Sequence, residues 1–238
     1  MALRARNLRG NLLFYNTNPL RITNAFGPDV FSYFEDFTNI AVASDALTNW
    51  TVTLVEAGAG DTTITRPDAS GGTLLITTDA NEDDGANLQL TTGESWGFAA
   101  TDFGTYFGIR FKSGEATQSD ILVGLCITDT TLLGGMTDGV YFEKLDGGTG
   151  ISFVTEKDST ETQTDSLATF AADTWTTLEF FGTGASIKAL INGTVVATHT
   201  TNICDDELLT PSIHFLTGNA AVETMTIDWI RAIGVGRP

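Results

Sequence analysis

Ser186-Ile187-Lys188-Ala189-Leu190-Ile191-Asn192-Gly193-Thr194-Val195-Val196-Ala197-Thr198 reads as two strands joined by a tight turn. Asn192-Gly193 is a favoured two-residue hairpin loop, because both positions of such a loop need positive φ, which glycine adopts freely and asparagine tolerates. The register that follows pairs Ile191 with Thr194, Ala189 with Val196 and Ile187 with Thr198. One face then carries Ile187, Ala189, Ile191 and Val196, and the other carries Lys188, Leu190, Val195 and Ala197. Apolar residues on both faces require cover on both sides, from an opposing sheet and from a second surface.

Working outward, the same signature recurs along the chain. Short runs rich in Val, Ile, Thr and aromatics, broken by Gly, Asp, Asn and Thr, fall at 51–55, 62–65, 73–78, 86–91, 106–112, 121–127, 139–144, 151–155, 176–181, 212–216 and 223–233. No sustained 3.6-residue periodicity separates them, which argues for an all-β sandwich or jelly roll rather than βαβ units. Isolated helical turns are expected near 45–49 or 167–172. In the last strand Met225, Ile227 and Trp229 alternate with Thr224, Thr226 and Asp228, predicting a half-buried strand with an inward tryptophan. Its natural mate is the first strand of the domain, 31–37.

Charge divides the chain differently. The first 28 residues hold Arg4, Arg6, Arg9 and Arg21 with no carboxylate, a local charge of +4. Residues 29–238 hold all 30 Asp and Glu against 8 Lys and Arg, a charge of −22. With 42% hydrophobic residues, 15 Phe and 4 Trp, the acidic part has the apolar content of a folded domain. Its charge excludes nucleic acid and anionic membrane as partners of the body, since binding phosphate needs clustered cations. No run approaches the length of a membrane span, and Leu12, Leu13, Phe14 and Tyr15 are too few for the apolar core of a secretion signal. Gly10, Pro19, Gly27 and Pro28 punctuate a segment anchored by Leu12, Leu13, Phe14, Tyr15, Leu20, Ile22 and Phe26. The division expected is an extended basic and aromatic arm at 1–30 and a sandwich at 31–238.

Few residues invite chemistry. His199 and His214 are the only histidines, and neither has a companion at zinc-site spacing. No Gly-x-Ser-x-Gly elbow or phosphate-binding glycine loop is present. Asp79-Ala80-Asn81-Glu82-Asp83-Asp84-Gly85 starts as a calcium loop does, but its glycine comes one position late and Leu90 stands where the bidentate glutamate belongs. Asp129 and Asp138 bracket a loop expected to be solvated. Cys126 and Cys204 lie beside apolar residues and read as buried free thiols. Glu156-Lys157-Asp158-Ser159-Thr160-Glu161 has the spacing of a retaining glycosidase pair, and a bulged strand would bring Glu156, Asp158 and Glu161 to one face. This E-x-D-x-x-E spacing resembles that of the laminarinase-like jelly-roll glucanases. In that family the interleaved residues are apolar; here Lys157, Ser159 and Thr160 mark an exposed loop or edge, and neither enzyme activity nor a cofactor or metal is expected.

Across residues 31–233 the chain resembles tailed-phage structural proteins with a concanavalin A-like sandwich. The segments that carry this are Phe34-Glu35-Asp36-Phe37, Asp84-Gly85-Ala86-Asn87-Leu88-Gln89, Gln118-Ser119-Asp120 ahead of Val123-Gly124-Leu125, Asp138-Gly139-Val140-Tyr141-Phe142, Ile191-Asn192-Gly193 and Ile227-Asp228-Trp229-Ile230-Arg231. The resemblance implies a non-enzymatic capsid decoration or cement protein on the virion surface, made in the host cytoplasm and working as a homo-oligomer, trimer ahead of dimer. The implied partner is the major capsid protein, held by Arg4, Arg6, Arg9, Leu12, Phe14, Tyr15 and Arg21. The competing expectation is glycan binding, with Trp50, Trp96, Trp175 and Tyr106 as stacking faces, although Trp175 and Trp229 read as core.

Overall fold

The computed structural model describes residues 3–8, 11–17, 20–43, 46–58, 60–91, 93–99 and 104–236. A small amino-terminal sheet contains β1 (Leu3–Leu8), β2 (Asn11–Thr17) and β3 (Leu20–Phe26). There follow β4 (Val30–Glu35), the two-residue strands β5 (Val42–Ala43) and β6 (Ala46–Leu47), β7 (Trp50–Val55), β8 (Thr63–Thr65), β9 (Leu74–Thr77) and β10 (Gly85–Leu90). Next come β11 (Gly104–Ser113), β12 (Ser119–Cys126), the helical turn α1 (Leu132–Gly135), β13 (Gly139–Lys144), β14 (Gly150–Lys157) and β15 (Thr160–Thr169). The chain closes with β16 (Thr176–Thr183), β17 (Ser186–Ile191), β18 (Thr194–His199), β19 (Thr210–Thr217) and β20 (Thr224–Val235).

Two antiparallel sheets face each other. One runs β15-β14-β13-β12-β19-β10-β7; the other runs β18-β17-β16-β11-β20-β9-β8, with β4 also on β20. Between them lies one apolar core to which both sheets contribute, Val140, Phe142, Phe153, Ile213 and Phe215 from the first and Phe107, Ile109, Phe180, Ile227 and Ile230 from the second. Phe180 sits at its centre. Its ring is 5.1 Å from Phe107, 6.0 Å from Phe153, 6.2 Å from Phe98 and 6.4 Å from Phe142. This is an all-β jelly-roll sandwich, and β4 pairs with β20 through Glu35 to Ile230 and Val30 to Val235, the mating of first and last strands that the pattern implied.

The Asn192-Gly193 turn forms as expected, with φ of 50° and 77°. The register beyond it does not hold. Ile191 faces Thr194, but a bulge between Ala189 and Leu190 then sets Leu190 against Val195, Ala189 against Ala197 and Ile187 against His199. A second irregularity between Arg110 and Phe111 pairs Arg110 with Trp229 and Phe111 with Ile227. Asp228 is the additional residue, so Trp229 turns outward while Met225 and Ile227 remain buried. The inward tryptophan of the alternation is corrected by this single bulge.

Other expectations also change. Among the described residues between 3 and 26 there is no extended arm; β2 pairs with β1 and with β3 as an antiparallel meander. Leu12 and Phe14 alternate with Leu13, so each face of β2 has an apolar residue to bury. Leu13 and Ala25 pack on Tyr106, Ile233, Val235 and Phe181 from the outside of the eight-stranded sheet. Asn11 fastens this docked sheet: its Nδ2 donates to Asp29 Oδ2 at 3.1 Å and its Oδ1 accepts from the Asp29 backbone N–H at 3.2 Å. Gly27 lies so close that a Cβ there would stand 2.1 Å from Asn11 Oδ1. The helical turns are misplaced as well, since 46–47 and 167–169 are strand and the one helix among the described residues is α1.

Replacing Phe180 by Ala is expected to lower the unfolding free energy by about 3–5 kcal/mol, the usual cost of emptying a fully buried aromatic site. Urea titration reads this directly, and a loss below about 1 kcal/mol would refute the central role given to this ring.

Candidate functional site

The outer face of the seven-stranded sheet gathers the chain's most perturbed carboxyls. Alternation sends Val140 and Phe142 inward and leaves Tyr141 and Glu143 on the other side of β13. On β14 the outward residues are Ser152, Val154 and Glu156. Asp158 and Ser159 both have positive φ, 51° and 60°, and turn the chain into β15, where Glu156 faces Glu161. The predicted trio is therefore split: Glu156 and Glu161 meet across a hairpin, while Asp158 is spent in its turn. Tyr141 Oη bridges the pair, donating to Glu156 Oε2 at 3.2 Å with Glu161 Oε1 at 3.5 Å. Gln163 Nε2 donates to Glu143 Oε1 at 2.8 Å and Asp165 Oδ1 at 2.7 Å, and Ser152 Oγ donates to Asp165 Oδ1 at 3.2 Å. No cation pairs with these four carboxylates among the described residues.

Burial, and after it the charge of Glu161 and Asp165, pushes Glu143 up to about 7. Burial likewise raises Glu156 to about 6, against the hydrogen bond from Tyr141. Sequence reasoning flagged Glu156 and Glu161 but missed Glu143, whose only signal was a carboxylate at an outward position of an otherwise apolar strand.

Beside this cluster the same face is plugged. Leu132 and Met136 pack on Leu122, Cys126, Tyr141 and Val154 as a second apolar cluster. Two amides pin the covering loop: Asn87 Nδ2 donates to Thr130 O at 2.8 Å, and Gln89 donates to Ile127 O and accepts from the Asp129 N–H, both at 2.9 Å. The loop between Asp129 and Asp138 is thus a lid seated on the sheet, not the solvated loop expected, and Asp138 is buried where it accepts from the Asp158 N–H. Beneath it His214 donates from Nδ1 to Asn87 Oδ1, which leaves Nε2 a bare acceptor without a partner among the described residues. Burial drives its pKa down to about 4. His199 is structural, held between Thr155 Oγ1 at 3.0 Å and Thr164 Oγ1 at 2.9 Å.

The outer face of the eight-stranded sheet differs in character. Arg110 lies 4.5 Å over Trp175 and pairs with Asp228, while Arg231 lies 4.5 Å over Phe34 and 6.0 Å from Trp229. Trp175 and Trp229 are surface residues engaged by cations rather than core. Trp50, Trp96 and Tyr106, offered as sugar-stacking faces, are buried.

The residues expected to bind capsid lie on the small sheet. Arg4 and Arg6 share one face of β1, opposite Tyr15 and Leu13, and both are exposed. Leu12, Phe14 and Phe26 share the face turned away from the body. Leu12 is 39% and Phe26 57% exposed, and Phe14 meets Phe26 edge-on at 6.1 Å. Tyr15 is half-buried, Arg21 lies in β3, and Arg9 falls outside the described residues.

Cys126 and Cys204 are free and buried, as expected. Asp138, Cys204 and Asp206 bring three donor atoms within 4.8 Å of one another. Asp206 already pairs with Lys157 at 3.1 Å, and burial holds the Cys204 thiol up at about 12, so this group is poorly suited to a metal. Among the described residues no helix is long and apolar enough to cross a membrane.

The family described as SO2946-like, C-terminal domain, matches residues 72–228. No curated protein matches the chain. Among solved structures, the protein of unknown function SO2946 from Shewanella oneidensis MR-1 aligns over 87% of each chain at 13% identity and a TM-score of 0.59. A Bacillus licheniformis β-glucanase aligns over 87% of this chain and 98% of its own, at 16% identity and 0.60. The CBM2 module of the evolved Dit of Lactobacillus casei BL23 phage J-1 aligns over 88% and 98%, at 12% and 0.57. At these identities the likeness establishes the concanavalin A-like jelly roll and nothing finer.

Because Glu143 titrates higher when folded than its ordinary 4.5, the folded chain holds the additional proton between about 4.5 and 7, and stability falls as pH rises through that window. Glu143→Gln should remove that decline, adding about 1 kcal/mol at alkaline pH after allowance for solvent screening and little in acid. Urea unfolding on both sides of the window measures it; equal gains at both pH values would contradict the assignment.

Proposed function

This chain belongs to the SO2946-like, C-terminal domain family, and on that premise we propose that it is a non-catalytic attachment protein of a phage particle. In this reading it decorates and cements the capsid, with the small amino-terminal sheet against the major capsid protein and the acidic sandwich outward. The observation that carries the reading is the outward apolar face of that sheet, Leu12, Phe14 and Phe26, with exposed Arg4 and Arg6 on the other face of the same sheet, the side of Leu13 and Tyr15. A three-stranded sheet gains little stability with one apolar face in water, so its outer face is better explained by a surface that covers it. Arg4 and Arg6 add long-range attraction to an acidic target. The carboxyls speak against hydrolysis, since Glu156 is buried under Tyr141 and the neighbouring face is filled by Leu132 and Met136 instead of an open groove. That a phage uses the same fold in its Dit agrees with a particle-borne role.

A second reading, glycan binding, is favoured by Glu161, Gln163 and Asp165, which line an exposed edge of the seven-stranded sheet in a fold shared with carbohydrate-active proteins. Retention on purified expanded heads, compared with a glycan array, separates the two. Leu12→Ser with Phe26→Ser is expected to weaken head binding at least roughly tenfold, because each apolar side chain loses up to about 1.5–3 kcal/mol of burial. Unchanged retention of the doubly substituted chain would defeat the attachment reading, and array binding lost in Gln163→Ala would establish the second.

A further inference from the structure

Two sheet edges in this molecule carry opposite charge. β15 is the terminal strand of the seven-stranded sheet, with β14 on one side and no strand on the other among the described residues. It is regular from Thr160 to Thr164; its register shifts opposite Ile151 and Phe153, and Ser166 has φ of 53°. β1 is the terminal strand of the small sheet and its six residues are of comparable length. Each edge presents a row of backbone N–H and C=O groups ready to take another strand. The side chains decide which strand is accepted. Two β15 edges brought together would oppose Glu161 and Asp165 to their own kind, so this edge rejects itself. A basic strand meets no such barrier, and Arg4 and Arg6, spaced two residues apart, match the alternation that puts Glu161, Gln163 and Asp165 on one face.

A second observation points the same way. Glu143, Glu156, Glu161 and Asp165 crowd against β15 with only hydroxyl and amide donors, from Tyr141, Ser152 and Gln163, to satisfy them. Such a cluster gains from a cation supplied from outside. The β1 of the same copy is committed elsewhere, because its sheet is docked through Leu13 and Ala25 on the outside of the other main sheet.

We propose that β1 of one copy adds to the free edge of β15 of a second copy, with Arg4 and Arg6 entering the carboxylate cluster of Glu143, Glu156, Glu161 and Asp165. The contact is heterologous: each copy gives one edge and receives at the other, so assembly proceeds head to tail and closes only if the rotation permits. This inference goes beyond the attachment reading and stands without it, since a chain that binds no capsid still self-associates.

Sedimentation velocity over a concentration series tests it, with circular dichroism as the check on folding. The wild-type chain is expected to form species larger than a monomer. Arg4→Glu with Arg6→Glu, and separately Glu161→Lys with Asp165→Lys, should each sediment as folded monomers. Mixed in equal amounts the two variants should associate again into species larger than a monomer, because the unaltered β1 of the second meets the unaltered β15 of the first and the two reversed edges match each other. The chain carrying all four substitutions should regain self-association, its edges having exchanged signs. A monomeric wild type, a folded double variant that keeps the wild-type mass, or a mixture that stays monomeric would each overturn the proposal.

Discussion

The ring of Phe180, wedged among Phe98, Phe107, Phe142 and Phe153, is the contact on which this molecule turns. It spans the two sheets, and an aromatic interior of this kind makes an unpaired polar group costly. Strict alternation follows along β11, β13, β14 and β16. Every second residue is taken by the core, and its neighbours are delivered to one of two outer surfaces. The functional surfaces are thus by-products of the packing rule, set by what occupies the positions the core does not use.

Those two surfaces diverge sharply. The outer face of the seven-stranded sheet receives Glu143, Glu156, Glu161 and Asp165. The outer face of the eight-stranded sheet receives Arg110, Lys112, Lys188 and Arg231, four of the eight Lys and Arg that follow residue 28, and beside them docks the sheet bearing Arg4 and Arg6. The contrast visible in the linear chain, basic start and acidic remainder, is therefore reorganised in space. Basic residues collect on one side of the sandwich and uncompensated acids on the other, which gives the molecule a polarity that its net charge of −18 conceals.

Alternation and turn chemistry made most of the sandwich legible in advance. The strand positions, the Asn192-Gly193 turn and the pairing of the first body strand with the last were all readable because each depends on local pattern. What escaped was the effect of single inserted residues. One bulge moves Trp229 from the core to the surface and another shifts the hairpin register, and neither leaves a mark in composition. The stretch 160–169 read as a loop or edge because its residues are polar; it is an edge strand, and polarity is how such a strand stays soluble. Of the site, Glu156 and Glu161 were named from spacing, but their meeting across a turn depends on Asp158 and Ser159 adopting positive φ, which neither residue type announces. The amino-terminal meander was missed because Gly10 and Pro19 read singly as interruptions of the sequence pattern, whereas three strands, β1, β2 and β3, form among the described residues.

The placement of β20 has a consequence for how the molecule is made. It bonds to β4, β9 and β11, yet it is the last strand to be synthesised among those described. Until it leaves the ribosome those three strands have no common neighbour, and the eight-stranded sheet exists only as fragments. The amino-terminal meander needs no such wait, because its contacts are local, and it can form while its docking site on Ile233 and Val235 has not yet been translated. Synthesis therefore passes through a long interval in which the three strands of the meander are all available and the surface that covers Leu13 and Ala25 is not. In that interval those apolar side chains lack their docking partners, and the lack ends with the arrival of the final strand.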